Sequence, residues 1–383
     1  MTTNKDKPLG IYIHIPFCLQ KCRYCDFLSF AAWSTDSVTA YAEKLIGEIS
    51  GRSRAYGAGH HVDTIYLGGG TPSLLPANML DDILDAVYAR YPMAGDVEVT
   101  LEANPGTVFG GVFQEFRDIG INRLSVGAQS FSADMLKYLG RIHLADDTAD
   151  TVRDARKAGF DNISLDLMFG LPGETLAEWL RDLDTAINLG PEHLSFYSLT
   201  PEEGTPVFDD IINGRVSDIS EIDDRLMYHR AIERLAKAGY AHYEISNAAK
   251  PGFASRHNMK YWSLGDYLGL GLGAHSYFGG RRFGNTENMA DYISAAAPEE
   301  MTAWEHVNTA SDDISEYIFL GLRRTEGIDL RTFGRVFGRD FWDMYKEETD
   351  GLIERGLLAH EGEILKLTPL GLDLSNRVFM EYV

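Results

Sequence analysis

Cys18, Cys22 and Cys25 are the only cysteines of the 383-residue chain, and all fall within eight positions. Three thiolates spaced C-x3-C-x2-C can hold three corners of a cuboidal iron–sulfur cluster, because soft sulfur selects such centres. No fourth cysteine exists for the remaining iron, so that corner is open to a small chelating molecule, much as an open zinc position receives substrate. The competing chemistry is a structural zinc site, for which only a nearby histidine such as His14 could be the fourth ligand. Three unrelated buried thiols would not be spaced this way.

Polar residues able to hold a ligand recur where apolar runs end. One run ends in Gly68, Gly69, Gly70, Thr71 and Pro72, where missing side chains let backbone N–H groups approach an anionic or zwitterionic ligand, or simply make a tight turn. Others end in Glu102 and Asn104, in Gln129 and Ser130, and in Asp166 followed by Gly170, Pro172 and Gly173. A lone Asn or Gln there can cap the next helix. Carboxylates such as Glu102 and Asp166 must instead be paired or solvated in a cleft. Arg141 offers a planar fork for a ligand carboxylate, or is a surface helix residue. Tyr12, six residues before Cys18, is either a ligand contact or an aromatic in the first strand's core.

The elements that position these residues follow from periodicity. Strand-like apolar runs occupy residues 10–15, 64–67, 97–101, 123–126, 163–167, 194–197 and, more weakly, 242–245. Amphipathic helical patterns lie between them at 38–50, 79–91, 111–119, 145–157, 176–189 and 222–238. Such alternation means an α/β fold with a parallel sheet covered by helices, and six or seven units suit a partial or near-complete β/α barrel. In barrels of this kind the chemistry gathers at the C-terminal ends of the strands, where the residues above fall.

The segment from Tyr12 and His14 through the three cysteines to Asp26 and Phe27 resembles the radical S-adenosylmethionine (SAM) superfamily. In that superfamily the amino and carboxylate groups of SAM occupy the free iron of a 4Fe-4S cluster, and an electron from the cluster cleaves SAM to a 5′-deoxyadenosyl radical. From about Leu9 to the C-terminus the motifs are similar to one branch, which holds oxygen-independent coproporphyrinogen III oxidase and the HemW haem chaperones. The resemblance implies Cys18, Cys22 and Cys25 as cluster ligands. It implies SAM contacts at Tyr12, Tyr24, Gly69, Gly70, Thr71, Glu102, Gln129, Arg141 and Asp166.

Three features separate the two branches. The oxidases typically carry a longer N-terminal extension, whereas here the first strand is expected within about ten residues of Met1. They also carry a cysteine two residues after the cluster motif, where this chain has Phe27. The run Arg256-His257-Asn258-Met259-Lys260-Tyr261-Trp262 resembles the His-Asn-x-x-Tyr-Trp motif of the chaperones. An imidazole can ligate haem iron while aromatics cover the macrocycle, whereas a lone histidine beside aromatics can also be a loop residue with ordinary hydrogen bonds; the resemblance implies His257 as haem ligand, and His275 is a second candidate apart from that motif. His275 follows a glycine-rich segment, 269–273, that lacks the strand and helix context of a dinucleotide fingerprint. The implied function is haem binding and delivery to haem-requiring proteins. Oxidative decarboxylation by coproporphyrinogen III dehydrogenase, with hydrogen abstraction from a propionate, is the alternative.

From residue 247 to 284 the pattern is irregular and rich in Gly, Ser and Asn, which predicts a connecting region across the barrel mouth, with domains at 1–246, 247–300 and 301–383. The last domain shows helical patterns at 314–323, 330–337 and 341–354, a strand at 364–366, and Thr368-Pro369 opening a final helix. This order resembles the winged-helix-like C-terminal domain of the family. Residues 301–383 hold sixteen acidic against nine basic residues, the wrong sign for reading DNA. The whole chain carries a net charge of −22 from 57 acidic and 35 basic residues, which disfavours nucleic-acid partners, including those of RNA-modifying radical enzymes, and anionic membranes. The N-terminus has no signal-peptide core and no run is long and apolar enough to span a bilayer. Clustered thiols with no partner elsewhere suit a reducing cytoplasm. A homodimer sharing one haem face is open to the chain, though no stretch requires it.

Overall fold

The computed structural model describes residues 7–383. Six parallel strands lie side by side in chain order: β1 (Lys7–Ile15), β2 (His60–Gly69), β3 (Met93–Ala103), β4 (Arg123–Gln129), β5 (Ile163–Phe169) and β6 (His193–Ser198). Alternate side chains, such as Ile11, Ile13 and Ile15 of β1 or Leu124 and Val126 of β4, are fully buried in one core. Against them pack Leu45 and Ile49 of helix Thr35–Tyr56, Leu80 and Ile83 of helix Ala77–Tyr88, and Trp179 and Leu183 of helix Leu176–Asn188. This is the partial β/α barrel expected, with the apolar core between sheet and helices.

The expected weak strand at 242–245 forms as β7 (Ala241–Glu244), but it pairs with β8 (Asn247–Ala249), which runs antiparallel to β6. It therefore ends the sheet instead of adding a seventh parallel unit. The stretch expected to be irregular is mostly ordered. It contains β9 (Tyr267–Leu270), parallel to β1, then β10 (His275–Phe278) and β11 (Arg281–Asn285), which with β12 (Thr302–Val307) extend the sheet antiparallel to twelve strands. Glycine hid these strands for a steric reason: a Cβ on Gly269 would collide with the backbone of His275. Its absence marks close strand approach, not a flexible connector.

Helix Arg256–Trp262 was expected as a loop at the barrel mouth and instead lies against the inner face of the sheet, near the strand beginnings. The N–H groups of Arg256 and His257 donate to Glu98 of β3 at 3.1 and 3.2 Å. Lys260 Nζ lies 2.8 Å from Asp63 of β2, and its stem runs over Gly10 of β1, where a Cβ would approach Lys260 Cδ to 2.8 Å. One seven-residue helix thus spans three strands and seals the lower end of the half barrel.

The strands added beyond β1 are tied to the first helix by Glu48, a fully buried carboxylate. It accepts hydrogen bonds from Asn285 Nδ2 (2.6 Å), Tyr292 Oη (2.7 Å) and Gly271 N–H (2.8 Å), with Arg52 alongside at 3.7 Å. Beyond the sheet, helices Ala310–Gly321, Leu330–Phe337 and Phe341–Glu354 and a three-stranded antiparallel sheet of β13 (Ile328–Asp329), β14 (Leu358–Glu361) and β15 (Ile364–Leu367) form the winged-helix-like unit. It has its own core around Ile318, Phe333, Phe341, Leu352 and Leu365. Thr368 caps helix Pro369–Asp373 by accepting from Gly371 N–H at 2.9 Å, as the Thr-Pro pair predicts. Among the described residues no helix is long and apolar enough to cross a membrane.

Replacing Glu48 by alanine strands three donors and one guanidinium in a dry interior. Breaking such a buried charged network costs about 3–5 kcal/mol, so Glu48→Ala should lower the urea midpoint sharply, and a midpoint within error of the parent would remove Glu48 from that role.

Candidate functional site

The C-terminal ends of the six parallel strands converge on one cavity. It is lined by Cys18, Cys22, Tyr24 and Cys25 from the loop after β1, Gly69, Gly70 and Thr71 after β2, Glu102 and Asn104 from β3 and its exit, Gln129 from β4, Arg141, Asp166 from β5, and Tyr197 from β6. Of the residues singled out in the sequence, Tyr12 lies outside this cavity and lines a larger neighbouring cleft, whereas His257 lines neither.

A chain of polar contacts crosses the cavity floor and joins two of the cysteines. Thr71 Oγ1 lies 3.6 Å from Cys18 Sγ and accepts from Asn104 Nδ2 at 2.8 Å. Asn104 Oδ1 accepts from Arg141 Nη2 at 2.6 Å, and Arg141 Nη1 reaches Cys22 Sγ at 3.5 Å. Arg141 Nη2 also donates to the Gly127 carbonyl at 2.6 Å, so three of its five N–H donors are used and two remain. Glycine permits close approach at two points of this floor. A Cβ on Gly70 would approach the Phe17 and Ile15 carbonyls to 2.8 and 2.9 Å, and one on Gly127 would meet Asn104 Oδ1 at 2.9 Å. The Gly70 and Thr71 N–H groups donate to the Ile15 and Phe17 carbonyls, both at 2.8 Å, which locks the glycine turn to the cysteine loop.

Gln129 is one of two non-glycine residues with positive φ among those described, at 62°. Side chains at such angles cost of order 1 kcal/mol or more and are kept where geometry demands them. Here the strand bulges between Gly127 and Gln129, and Gln129 Oε1 accepts from Tyr197 Oη at 2.9 Å. The twist turns the amide into the cavity.

The two carboxylates sit where water is scarce. Glu102 accepts from Tyr66 Oη at 2.9 Å and Gly69 N–H at 3.1 Å, yet burial and the nearby Asp166 leave its carboxyl at about 7. Asp166 is raised as well by burial, against the pull of Ser195, Arg123, Ser125 and Ser164. Ser125 Oγ donates to it at 3.1 Å. Desolvation likewise raises Cys18 and takes Cys25 to about 11.

This donor set fits an iron–sulfur cluster. The three cysteines are unpaired, and they border a single cavity. Among the described residues no three His, Cys, Asp or Glu side chains converge as a single ion would need. A cuboidal cluster makes no such demand, since each thiolate binds a different iron. His14, the remaining candidate for a zinc site, is committed elsewhere. Its Nε2 faces the Leu28 carbonyl at 2.9 Å and must donate, so its Nδ1 accepts from Tyr12 Oη at 2.9 Å.

His257 is only 1% exposed, with Nδ1 2.8 Å from Thr64 Oγ1 and Nε2 2.8 Å from Tyr261 Oη. Burial and the nearby Lys260 lower its pKa to about 3. A ring so placed offers no free nitrogen to an iron outside the helix. The residue expected as haem ligand thus has both ring nitrogens engaged within the fold, where the motif holds the sealing helix in place.

Several site residues escape a reading centred on strand ends: Tyr66, Arg123, Ser125, Ser195 and Tyr197. The available signal was a period of two. Thr64, Tyr66 and Gly68, then Glu98, Thr100 and Glu102, then Arg123, Ser125 and Gly127, place polar or small groups at every second position on one face of their strands.

Because Glu102 holds its proton to about 7 in the folded chain against 4.5 as its ordinary value, the fold binds protons more tightly than the unfolded chain between these limits. Its contribution is full below about pH 4.5 and lost as pH rises through about 7. Glu102→Gln removes that dependence. The ligand-free parent should lose of order 2–3 kcal/mol relative to Glu102→Gln between pH 5 and 8. Parallel melting curves for the two proteins across that range would refute it.

Comparison with known proteins bears on the family and the fold. The radical SAM superfamily model matches residues 12–186, and the HemN C-terminal domain model matches residues 308–374. The "Heme chaperone HemW" of Lactococcus lactis subsp. lactis is 36% identical over 98% of this chain and 98% of its own. The one from Bacillus subtilis is 36% identical over 96% and 97%, and the one from Escherichia coli is 44% identical over 70% of each. Among solved structures, coproporphyrinogen III oxidase (HemN) from Escherichia coli superposes with a TM-score of 0.86 over 99% of this chain and 90% of that one. At 22% identity this likeness shows the shared fold. Radical SAM membership implies a 4Fe-4S cluster and SAM as cofactors. By likeness over nearly its whole length, the chain belongs to the HemW family of the radical SAM superfamily.

Proposed function

We propose that this protein is a haem chaperone built on a radical SAM scaffold, with Cys18, Cys22 and Cys25 holding a 4Fe-4S cluster, SAM bound beside it, and haem carried to haem-requiring proteins. The observation that carries the cofactor reading is the single cavity shared by all three thiols, the strand-end glycines, Glu102, Gln129, Arg141 and Asp166. When bound, the cluster would supply one electron to SAM held beside it.

The chain's own groups suit a zwitterion. The two spare donors of Arg141 match a carboxylate, and Glu102 and Asp166 match an ammonium or sugar hydroxyls. Tyr24 packs beside Leu139 and Leu171 and offers the cavity an aromatic wall. Tyr12 acts through His14, whose ring lies where a Cβ on Gly69 would fall. Haem as cargo comes from the names of the full-length relatives, and Phe27 at the position where the oxidases carry a further cysteine favours delivery over decarboxylation. Thiols without a disulfide partner support the reading of a reducing compartment, the cytoplasm, for this protein.

Anaerobic reconstitution of Cys22→Ser should lose the visible absorbance of the cluster, and full retention would place the ligands elsewhere. Incubated with coproporphyrinogen, SAM and a reductant, the reconstituted parent should form no protoporphyrinogen. Turnover would make the protein an oxidase.

A further inference from the structure

Beside the cysteine loop lies an open cleft of about 650 Å³, within the size range of small-molecule sites. Phe27, Leu28, Trp262, Tyr267 and Leu320 supply apolar and aromatic walls, and Phe27 is 64% exposed, a large apolar surface left to water beside the cluster cysteines. Such a surface, walled by aromatics, suits a flat apolar ligand.

Three histidines border cavities in the structure. His14 has both nitrogens engaged, and His143 is buried with Nε2 3.2 Å from the Ala128 carbonyl. His275, on β10, is exposed, lines the cleft and makes no side-chain hydrogen bond among the described residues. Its ring is nonetheless held. It pairs across the strands with Gly284, where a Cβ would come within 2.9 Å of His275 Cδ2, and it stands edge-on to Trp304 of β12 at 5.1 Å between centroids. Glycine opposite and tryptophan beside it make a socket that orients an imidazole without occupying either nitrogen.

We infer that this cleft seats the haem and that His275 supplies the axial nitrogen, an inference that rests on the haem-binding reading above. Asp26 and Glu287 line the same cleft, and Arg282 is held by Glu316 at 2.5 Å. Among the described residues lining the cleft the one Lys or Arg is this paired Arg282, so the propionates point outward to water and the apolar edge of the macrocycle enters first. One axial nitrogen in an open cleft holds haem without enclosing it, which suits release to a second protein.

The test is a titration of the full-length, cluster-reconstituted protein with ferric haem, followed by difference absorbance and tryptophan quenching. The parent should show a Soret shift. His275→Ala should lose that shift and bind at least tenfold more weakly, with free imidazole restoring the spectrum. His257→Ala should keep the shift and melt at a lower temperature. No Soret shift in the parent would sink the haem reading itself. A parent that binds while His275→Ala keeps the same spectrum and affinity would overturn the seat alone. A shift lost in a folded His257→Ala and kept in His275→Ala would do the same. Should His257→Ala fail to fold, His275→Ala with imidazole rescue decides.

Discussion

Everything in this molecule depends on keeping a polar strand face dry at one end and open at the other. Parallel barrels ordinarily fill their interior with layers of branched apolar side chains. Here the inner positions carry Glu98, Glu102, Arg123 and Asp166 among serines, threonines and tyrosines. Charges in such surroundings need partners, and the strands provide them: Tyr66 and Gly69 hold Glu102, and serines of neighbouring strands surround Asp166. What the strands cannot do is close their own lower end. The short helix that does so brings a matching polar set, with its first N–H groups on Glu98, Lys260 on Asp63 and His257 on Thr64. A sealed floor lowers the local dielectric, so every dipole aimed at the upper cavity acts more strongly there.

This arrangement explains which parts of the fold could be read from residues alone. The outward faces of the six parallel strands announce themselves because alternate apolar side chains meet amphipathic helices, and both periods survive in the sequence. The cysteines and the strand-end glycines, carboxylates and Arg141 were readable for a related reason: barrel chemistry collects at strand exits, and the family motif names the positions. Deeper residues such as Arg123 and Ser125 were overlooked although their alternation was in plain view, because a polar inner face contradicts what a barrel core usually wants. The sealing helix was hidden by its length. Seven residues of which five are aromatic or imidazole-free polar groups give no helical period, and only the contacts with Glu98 and Asp63 reveal where it sits. His257 shows the limit of a motif, which names a residue type without saying whether its nitrogens are free.

β9 to β11 were missed for a different reason. A segment dense in glycine reads as a connector, yet in this chain Gly269, Gly271 and Gly284 lie where strands and rings approach too closely for a Cβ. Gly271 sits against Tyr41 Oη and the His14 carbonyl, and its N–H serves Glu48. The glycines therefore report packing, and packing on this side of β1 builds the second cavity.

The two cavities share a wall, and that wall is the cysteine loop. Phe27 borders both, two residues beyond Cys25. The loop is pinned by contacts that run in both directions: Cys18 N–H to the Phe30 carbonyl at 2.9 Å, Trp33 Nε1 to the Cys18 carbonyl at 2.8 Å, and the Leu28 carbonyl to His14 Nε2 at 2.9 Å. His14 passes that contact to Tyr12, which faces the cleft, while its ring packs against Gly69, which faces the other cavity. A ligand that fixes the three sulfurs therefore fixes Phe27 and Leu28 as well, and with them the apolar lip of the cleft. Metal occupancy on one side of the loop and the shape of the apolar seat on the other are then set by the same few hydrogen bonds. A loop that served only one cavity would need neither the His14 bridge nor an exposed phenylalanine at its turn.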